Sequence, residues 1–281
     1  MDKSILFSLL FIILIGVAYY FWQEHQASII LLEPEITEYV DTVEKVEEEK
    51  KEVLYPVPVE NLIVTSEESN IEVQVHAEEI SLPALNESDD EIQQAFSRFY
   101  KIEKLLELFI YRDFVRHVVV SIDNMTTKRL PRRFVFTKSP LNSFMIKTTP
   151  VENEFILDES NFARYSLFMA FVNKVDNQKL IGLYFKYYPL FQEAYDELGY
   201  SGRYFNDRLV EVIDHLLQTP NITSPIKLIR PKVFYHFADP KLEDLSAGQK
   251  TLLRIGNENA AMIKAKLKSI RQILTSMKPE Q

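Results

Sequence analysis

The chain has 281 residues, of which 46% are hydrophobic and 26% charged, with a formal net charge of −9 at pH 7. It contains no cysteine. That excludes a disulfide-stapled scaffold, a Cys nucleophile and a Cys-liganded zinc, so any folded part must be held by its own core.

In chain order, the first element is apolar. From Ser4 to Trp22 there is no charged residue. About 19 residues at roughly 1.5 Å each give about 28 Å of helix, close to the hydrocarbon thickness of a bilayer. Tyr19, Tyr20 and Trp22 close the run as an interfacial belt. Lys3 precedes the span and the next Lys or Arg is Lys45, so the expected orientation is N-terminus in, remaining chain out. The competing reading is a cleaved secretory signal ending at Gly16-Val17-Ala18. Cleavage there would leave Tyr19-Tyr20-Phe21-Trp22 as an apolar mature terminus, and the uncleaved anchor is preferred. Residues 1–32 are therefore expected to be an anchor and juxtamembrane segment. The folded domain is expected on the side of that membrane away from the cytoplasm.

Charge then separates into two blocks. Glu33 to Glu91 holds 19 Asp or Glu against Lys45, Lys50 and Lys51, a net of −16. Residues 1–32 contribute −1, so 92–281 carries −9 + 16 + 1 = +8. The acidic block has prolines at 34, 56, 58 and 83 and no sustained apolar period, so 33–87 is expected to be a disordered tether. Within it, Ile71 to Val75 alternates as a transient extended piece or a pairing strand.

A folded domain over 88–281 is expected to be α+β and mainly helical, with a small antiparallel sheet. Ser88-Asp89-Asp90-Glu91 has capping-box spacing and opens a helix through Phe109. The β-branched run Val118 to Ile122 predicts a strand. Arg133 to Thr137, Phe144 to Thr148 and Glu154 to Leu157 predict a short meander. Helical periodicity then predicts helices at 160–175, 177–187, 189–198, 203–218, 240–255 and 258–276. Asp239-Pro240 is a cap before a proline at the first helical position, and Gly256 a stop. Val233 to Phe237 predicts an isolated strand.

Several runs resemble one family. They are Tyr188-Pro189-Leu190-Phe191-Gln192, Leu198-Gly199-Tyr200, Tyr204-Phe205-Asn206-Asp207-Arg208-Leu209 and Val212-Ile213-Asp214-His215-Leu216-Leu217. Phe237-Ala238-Asp239-Pro240, Leu245-Ser246-Ala247-Gly248-Gln249-Lys250, Asn161-Phe162-Ala163-Arg164-Tyr165 and Leu82-Pro83 with Ser88-Asp89 extend the likeness over about 82–276. The chain resembles the domain of unknown function 3014 family of bacterial membrane-anchored proteins. The resemblance implies a Gram-negative envelope protein and carries no activity or catalytic role with it.

Chemistry-bearing residues concentrate on helix 203–218. Asp207, Glu211, Asp214 and His215 fall on or near one face, and a carboxylate beside an imidazole is the minimum for general acid–base work. The competing reading is a solvated face with a Glu211–His215 pair. Tyr200, Arg203, Tyr204, Asn206, Asp207 and Arg208 cluster round a glycine turn and suit a ligand bearing carboxylate or sugar groups. They suit internal wiring equally in kind, with Arg208 bridging to a buried acid, and wiring is preferred. Asn161, Arg164 and Tyr165 carry the same two readings. Ser246 to Thr251 superficially follows a phosphate loop, but Gln249 breaks the Gly–Lys adjacency, so a capped helical turn is expected. Lys264, Lys266, Lys268 and Arg271 form either an anion-holding surface or the solvated side of a docked helix. The histidines show no metal-ligand spacing, so no metal and no cofactor are expected. Nucleic acid is excluded by compartment. The expected function is a non-enzymatic binding or scaffold domain for a partner protein or cell-wall polymer. The alternative is an envelope hydrolase using Asp207, Glu211 or His215.

Overall fold

The computed structural model describes residues 52–57, 82–99, 103–200 and 202–276, all within the unit spanning 48–281. The predicted anchor at 4–22 and the extended piece at 71–75 lie outside the described residues. Among the described residues no helix is long and apolar enough to cross a membrane.

The domain is mainly helical with one small antiparallel sheet, as its periodicities predict. A short 3-10 turn at Leu85–Glu87 leads into α1 (Asp89–Phe99) and α2 (Glu103–Leu106). Then α3 (Phe114–Asn124) replaces the predicted strand at 118–122. The reason is burial. Phe114, Val115, Val119 and Val120 are buried along with His117, Ser121 and Asp123, so α3 is enclosed on nearly every side. Packing at helical spacing overrides the β preference of the valine run. Its start is fixed from outside: Asp89 accepts the amides of Asp113 (2.7 Å) and Phe114 (2.9 Å), two donors that a helix N-terminus leaves unpaired.

The expected strand at 133–137 is instead a 3-10 turn, Arg132–Phe134, followed by a single bridge between Thr137 and Phe109. β1 (Ile146–Thr148) and β2 (Glu154–Leu157) form the predicted hairpin. Helices α4 (Ser160–Ala163), α5 (Ser166–Lys174), α6 (Asn177–Lys186), α7 (Tyr188–Asp196) and α8 (Phe205–Leu217) follow. The chain then returns to the sheet. β3 (Lys227–Ile229), which periodicity missed, pairs with β2, and β4 (His236–Phe237) pairs with β3. Of the strand predicted at 233–237 only His236–Phe237 forms, and it is not isolated but the edge of a sheet ordered β1-β2-β3-β4. Leu157, Leu228 and Phe237 face Leu253 in a core of their own.

The predicted helix 240–255 divides into α9 (Pro240–Glu243) and α10 (Ala247–Arg254). Ser246 supplies the second start. Its hydroxyl accepts the Gln249 amide (3.2 Å) while Gln249 Oε1 accepts the Ser246 amide (3.3 Å), a complete capping box. Asp239 caps α9 through the Lys241 amide at 2.9 Å. Gly256 sits at φ +88°, and a Cβ there would lie 2.7 Å from the Phe162 ring, so it turns the chain sharply into α11 (Asn257–Thr275). α11 then lies across α6 and α8, where Leu274 joins Ile181, Phe185, Val210 and Ile213 in a buried cluster.

Candidate functional site

The first turn of α8 is where the candidate residues converge. The turn before it is organised by Gln192 of α7. Its Oε1 accepts the Phe205 amide (2.9 Å) and its Nε2 donates to the Arg203 carbonyl (2.8 Å) and to Asp196 (2.9 Å). Tyr204 occupies the N-cap position without a side-chain cap bond, so Gln192 serves that end of α8. Tyr200 stacks on Tyr195 at 4.8 Å between ring centroids, and the Arg203 guanidinium lies 5.6 Å over the Tyr200 ring.

Arg208 points to α3. Its Nε donates to Asp123 Oδ1, and its Nη2 donates to the Asp123 carbonyl and to Thr126 Oγ1, all at 2.8 Å. Glu211 binds Arg208 Nη1 at 2.9 Å from one turn along. The Tyr200 hydroxyl donates to Asp123 Oδ2 at 3.3 Å. Burial disfavours the charge on Arg208, but Glu211 and Asp123 outweigh it and hold its pKa above the ordinary value. Asp123 was not among the residues that periodicity singled out. Reading 118–122 as a strand hid it, since only a helix brings Asp123 round to face α8.

Asn206 and Asp207 turn the other way. Asp207 accepts the amides of Leu54 (3.1 Å) and Tyr55 (2.9 Å), and Asn206 Nδ2 donates to the Tyr55 carbonyl (2.8 Å). Asn206 is 1% exposed, and its Oδ1 accepts the Tyr184 hydroxyl at 3.2 Å. The Tyr55 and Val57 side chains pack beside Ile181, Phe185, Val210, Ile213 and Leu274. Residues 52–57 thus lie on the domain, whereas 33–87 as a whole was expected to be disordered. The physical reason is a local exception to the composition: Leu54-Tyr55-Pro56-Val57 is apolar and proline-stiffened within an acidic stretch. That run, an aromatic beside a proline, was the available signal.

The remaining two residues of the acid–imidazole row also part company. Asp214 forms an ion pair with Arg271 of α11, and His215 Nε2 lies 2.9 Å from Ser246 Oγ. Helical spacing put Asp207, Glu211, Asp214 and His215 near one face, but each meets a different partner: the 52–57 segment, Arg208, α11 and the cap of α10. They do not converge on a shared space. Among the described residues no group of His, Asp or Glu is placed to hold a metal ion.

Asn161, Arg164 and Tyr165 stand apart from α8. Asn161 is fully buried; its Oδ1 accepts the Met145 amide (2.9 Å) and its Nδ2 donates to the Met145 carbonyl (2.6 Å) and the Asp158 carbonyl (2.7 Å). It ties α4 to the chain entering β1. Arg164 donates to the carbonyls of Leu141 (3.0 Å) and Asn142 (3.0 Å). Tyr165 packs against the cluster of Val212, Leu216, Leu252, Ile255 and Ala260. On α11, Lys264 and Lys266 donate to the carbonyls of Thr219 and Val175.

A second group, unforeseen in the sequence, links α9 and α10 to the sheet. Glu243 accepts from the Phe237 amide (2.9 Å) and from Lys250 Nζ (3.3 Å), and lies 3.1 Å from His236 Nδ1. Lys250, the residue that superficially suggested a phosphate loop, is buried against Glu243.

The family model of a protein of unknown function, DUF3014, matches residues 114–271. The chain belongs to the DUF3014 family. The matched span runs from the start of α3 into α11 and includes α8 with its Arg208–Asp123 pair. It excludes the 52–57 segment and Leu274, while Asn206 and Asp207, which hold that segment, lie inside it. No curated protein and no solved structure matches the chain.

Proposed function

We propose that this DUF3014 protein is a single-pass envelope protein. Residues 4–22 anchor it in the inner membrane with its N-terminus in the cytoplasm, and its folded domain works in the periplasm as a non-enzymatic binding module. Its partner is an acidic cell-wall polymer or an acidic protein surface. The observation that carries the binding reading is an exposed cationic–aromatic edge. The Arg132 guanidinium lies 5.0 Å over the Phe234 ring, and Phe234 and Val233 are 60% and 67% exposed. Arg133 lies beside it in sequence, 4.6 Å over the Phe134 ring. An arginine held against an aromatic face keeps its N–H edge free for carboxylate or phosphate oxygens, and less entropy is lost on binding. The dispersal of Asp207, Glu211 and His215 among separate partners supports a role without catalysis.

The binding reading is tested with the full chain in detergent. Retention on an acidic cell-wall polymer should fall at least tenfold in Arg132→Glu and Phe234→Ser, and should weaken steeply with salt. Retention unchanged in both variants refutes the edge. The anchor is tested separately. The chain should remain with membranes after an alkaline wash, and a reporter active only outside the cytoplasm should be active when fused after Gln281. A soluble mature protein starting at Tyr19 would refute the anchor.

A further inference from the structure

The way residues 52–57 are held resembles a ligand in a site more than a strand in a core. The contacts span 151–153 residues of sequence, and 24 residues, 58–81, separate Val57 from Leu82. Both backbone groups of Tyr55 are read by neighbouring residues of α8: the amide by Asp207 and the carbonyl by Asn206. Asp207 also takes the Leu54 amide through its other oxygen. Pro56 has no amide to satisfy. The side chains alternate. Leu54 is 67% exposed, while Tyr55 and Val57 pack on the apolar cluster between α6, α8 and α11. Main-chain bonds give affinity to any extended segment, and pockets for alternate side chains select among them. Asn206 is also held by the Tyr184 hydroxyl, a bond within the domain that does not involve the segment.

We propose that the first turn of α8, with the groove between α6, α8 and α11, is a peptide-binding site for an extended apolar–Tyr–Pro–apolar segment of a partner polypeptide, and that the chain's own Leu54–Val57 is its resident competitor. The site uses none of Arg132, Arg133 or Phe234, so it stands or falls independently of the cationic edge. Because the resident segment belongs to the same chain, its docking is intramolecular, for which effective concentrations of about millimolar are typical. A free peptide of the same sequence therefore competes poorly with it. A groove occupied in cis for about nine-tenths of the time shows an apparent affinity about tenfold below its intrinsic one.

The test uses the full chain in detergent and a fluorescent peptide copying residues 50–60, read by anisotropy. The double variant Tyr55→Asp, Val57→Asp empties the groove and should bind the peptide at least tenfold more tightly than the unaltered chain. Adding Asp207→Asn should remove that gain. Changes in the peptide give an arm independent of protein folding: Ala at the Tyr55 position should lower affinity at least tenfold, and Ala at the Leu54 position less than threefold. An emptied chain that binds no better than the unaltered one overturns the proposal. So does a peptide that loses as much from the Leu54 change as from the Tyr55 change.

Discussion

Arg208→Ala should be the most costly single change among the candidate site residues. The substitution removes three bonds of 2.8 Å, to Asp123 Oδ1, the Asp123 carbonyl and Thr126 Oγ1. The Asp123 carboxylate, 12% exposed beside Arg208, then keeps the 3.3 Å Tyr200 hydroxyl. Both side chains of the pair are less than one-fifth exposed, so solvent screens little of the loss. Breaking such a pair by removing one partner costs about 3–5 kcal/mol. At roughly 2–4 °C per kcal/mol for a domain of this size, the midpoint of thermal unfolding should fall by roughly 6–20 °C. The assay is urea denaturation of the full chain followed by circular dichroism, with Asp123→Ala and the double variant completing a cycle. The two single changes should overlap, giving a coupling of about 2 kcal/mol or more. Arg208→Lys should recover part of the loss, because a compact ammonium cannot reach all four acceptors that the guanidinium fork spans. A cost below about 1 kcal/mol for Arg208→Ala, or strict additivity in the cycle, would refute the view that this pair holds α8 to α3.

Tyr111→Phe should stabilise the protein. Burial pushes its hydroxyl up to about 12, and among the described residues the buried oxygen has no hydrogen-bond partner. Removing it should add about 1 kcal/mol in the same denaturation experiment. Glu243 should contribute to acid sensitivity. Burial opposes its charge, but the Phe237 amide, His236 and Lys250 outweigh burial and lower its pKa. Its contribution is therefore full above the ordinary glutamate value of about 4.3 and is lost as pH falls through the lowered folded value. A pH titration of unfolding midpoints should show a shallower acid limb in Glu243→Gln than in the unaltered chain. Asn161→Ala should cost about 1–3 kcal/mol, since it removes three hydrogen bonds of a fully buried side chain and takes the acceptor from the Met145 amide. Hydrogen exchange should then accelerate at Met145 before it changes in α8.

The helical half of the fold was legible because its apolar residues recur at helical spacing and its ends carry chemical punctuation. Asp239-Pro240, Ser246 with Gln249, and Gly256 each act where their chemistry predicts. The failure at 118–122 has one cause. A valine run reports β-branching locally, but α3 is enclosed by α7, α8 and the turn at 132–134, and that surrounding decides its form. β3 was hidden because three residues carry too little alternation, and it is held by pairing with β2, some seventy positions earlier, and with β4. Site residues divide the same way. Arg208 is conspicuous in the sequence, while its acceptor Asp123 emerges only from the helix–helix contact. Asp207 was conspicuous too, but its partner is a main chain, and backbone amides leave no signature of residue type.

The docked segment has a mechanical consequence. Among the described residues, tension applied to this chain from its N-terminal side reaches the domain first at Leu54 and Tyr55, not at Leu82. The load falls on the bonds to Asn206 and Asp207 and so on the first turn of α8. These few bonds would yield before the helices that bury the core. Their release would add the 24 residues from 58 to 81 to the loaded path. At roughly 3.3–3.6 Å per residue the contour of that stretch is at most about 86 Å. The groove would therefore act as a weak link in series, letting the attachment lengthen under strain while the domain beyond it stays folded.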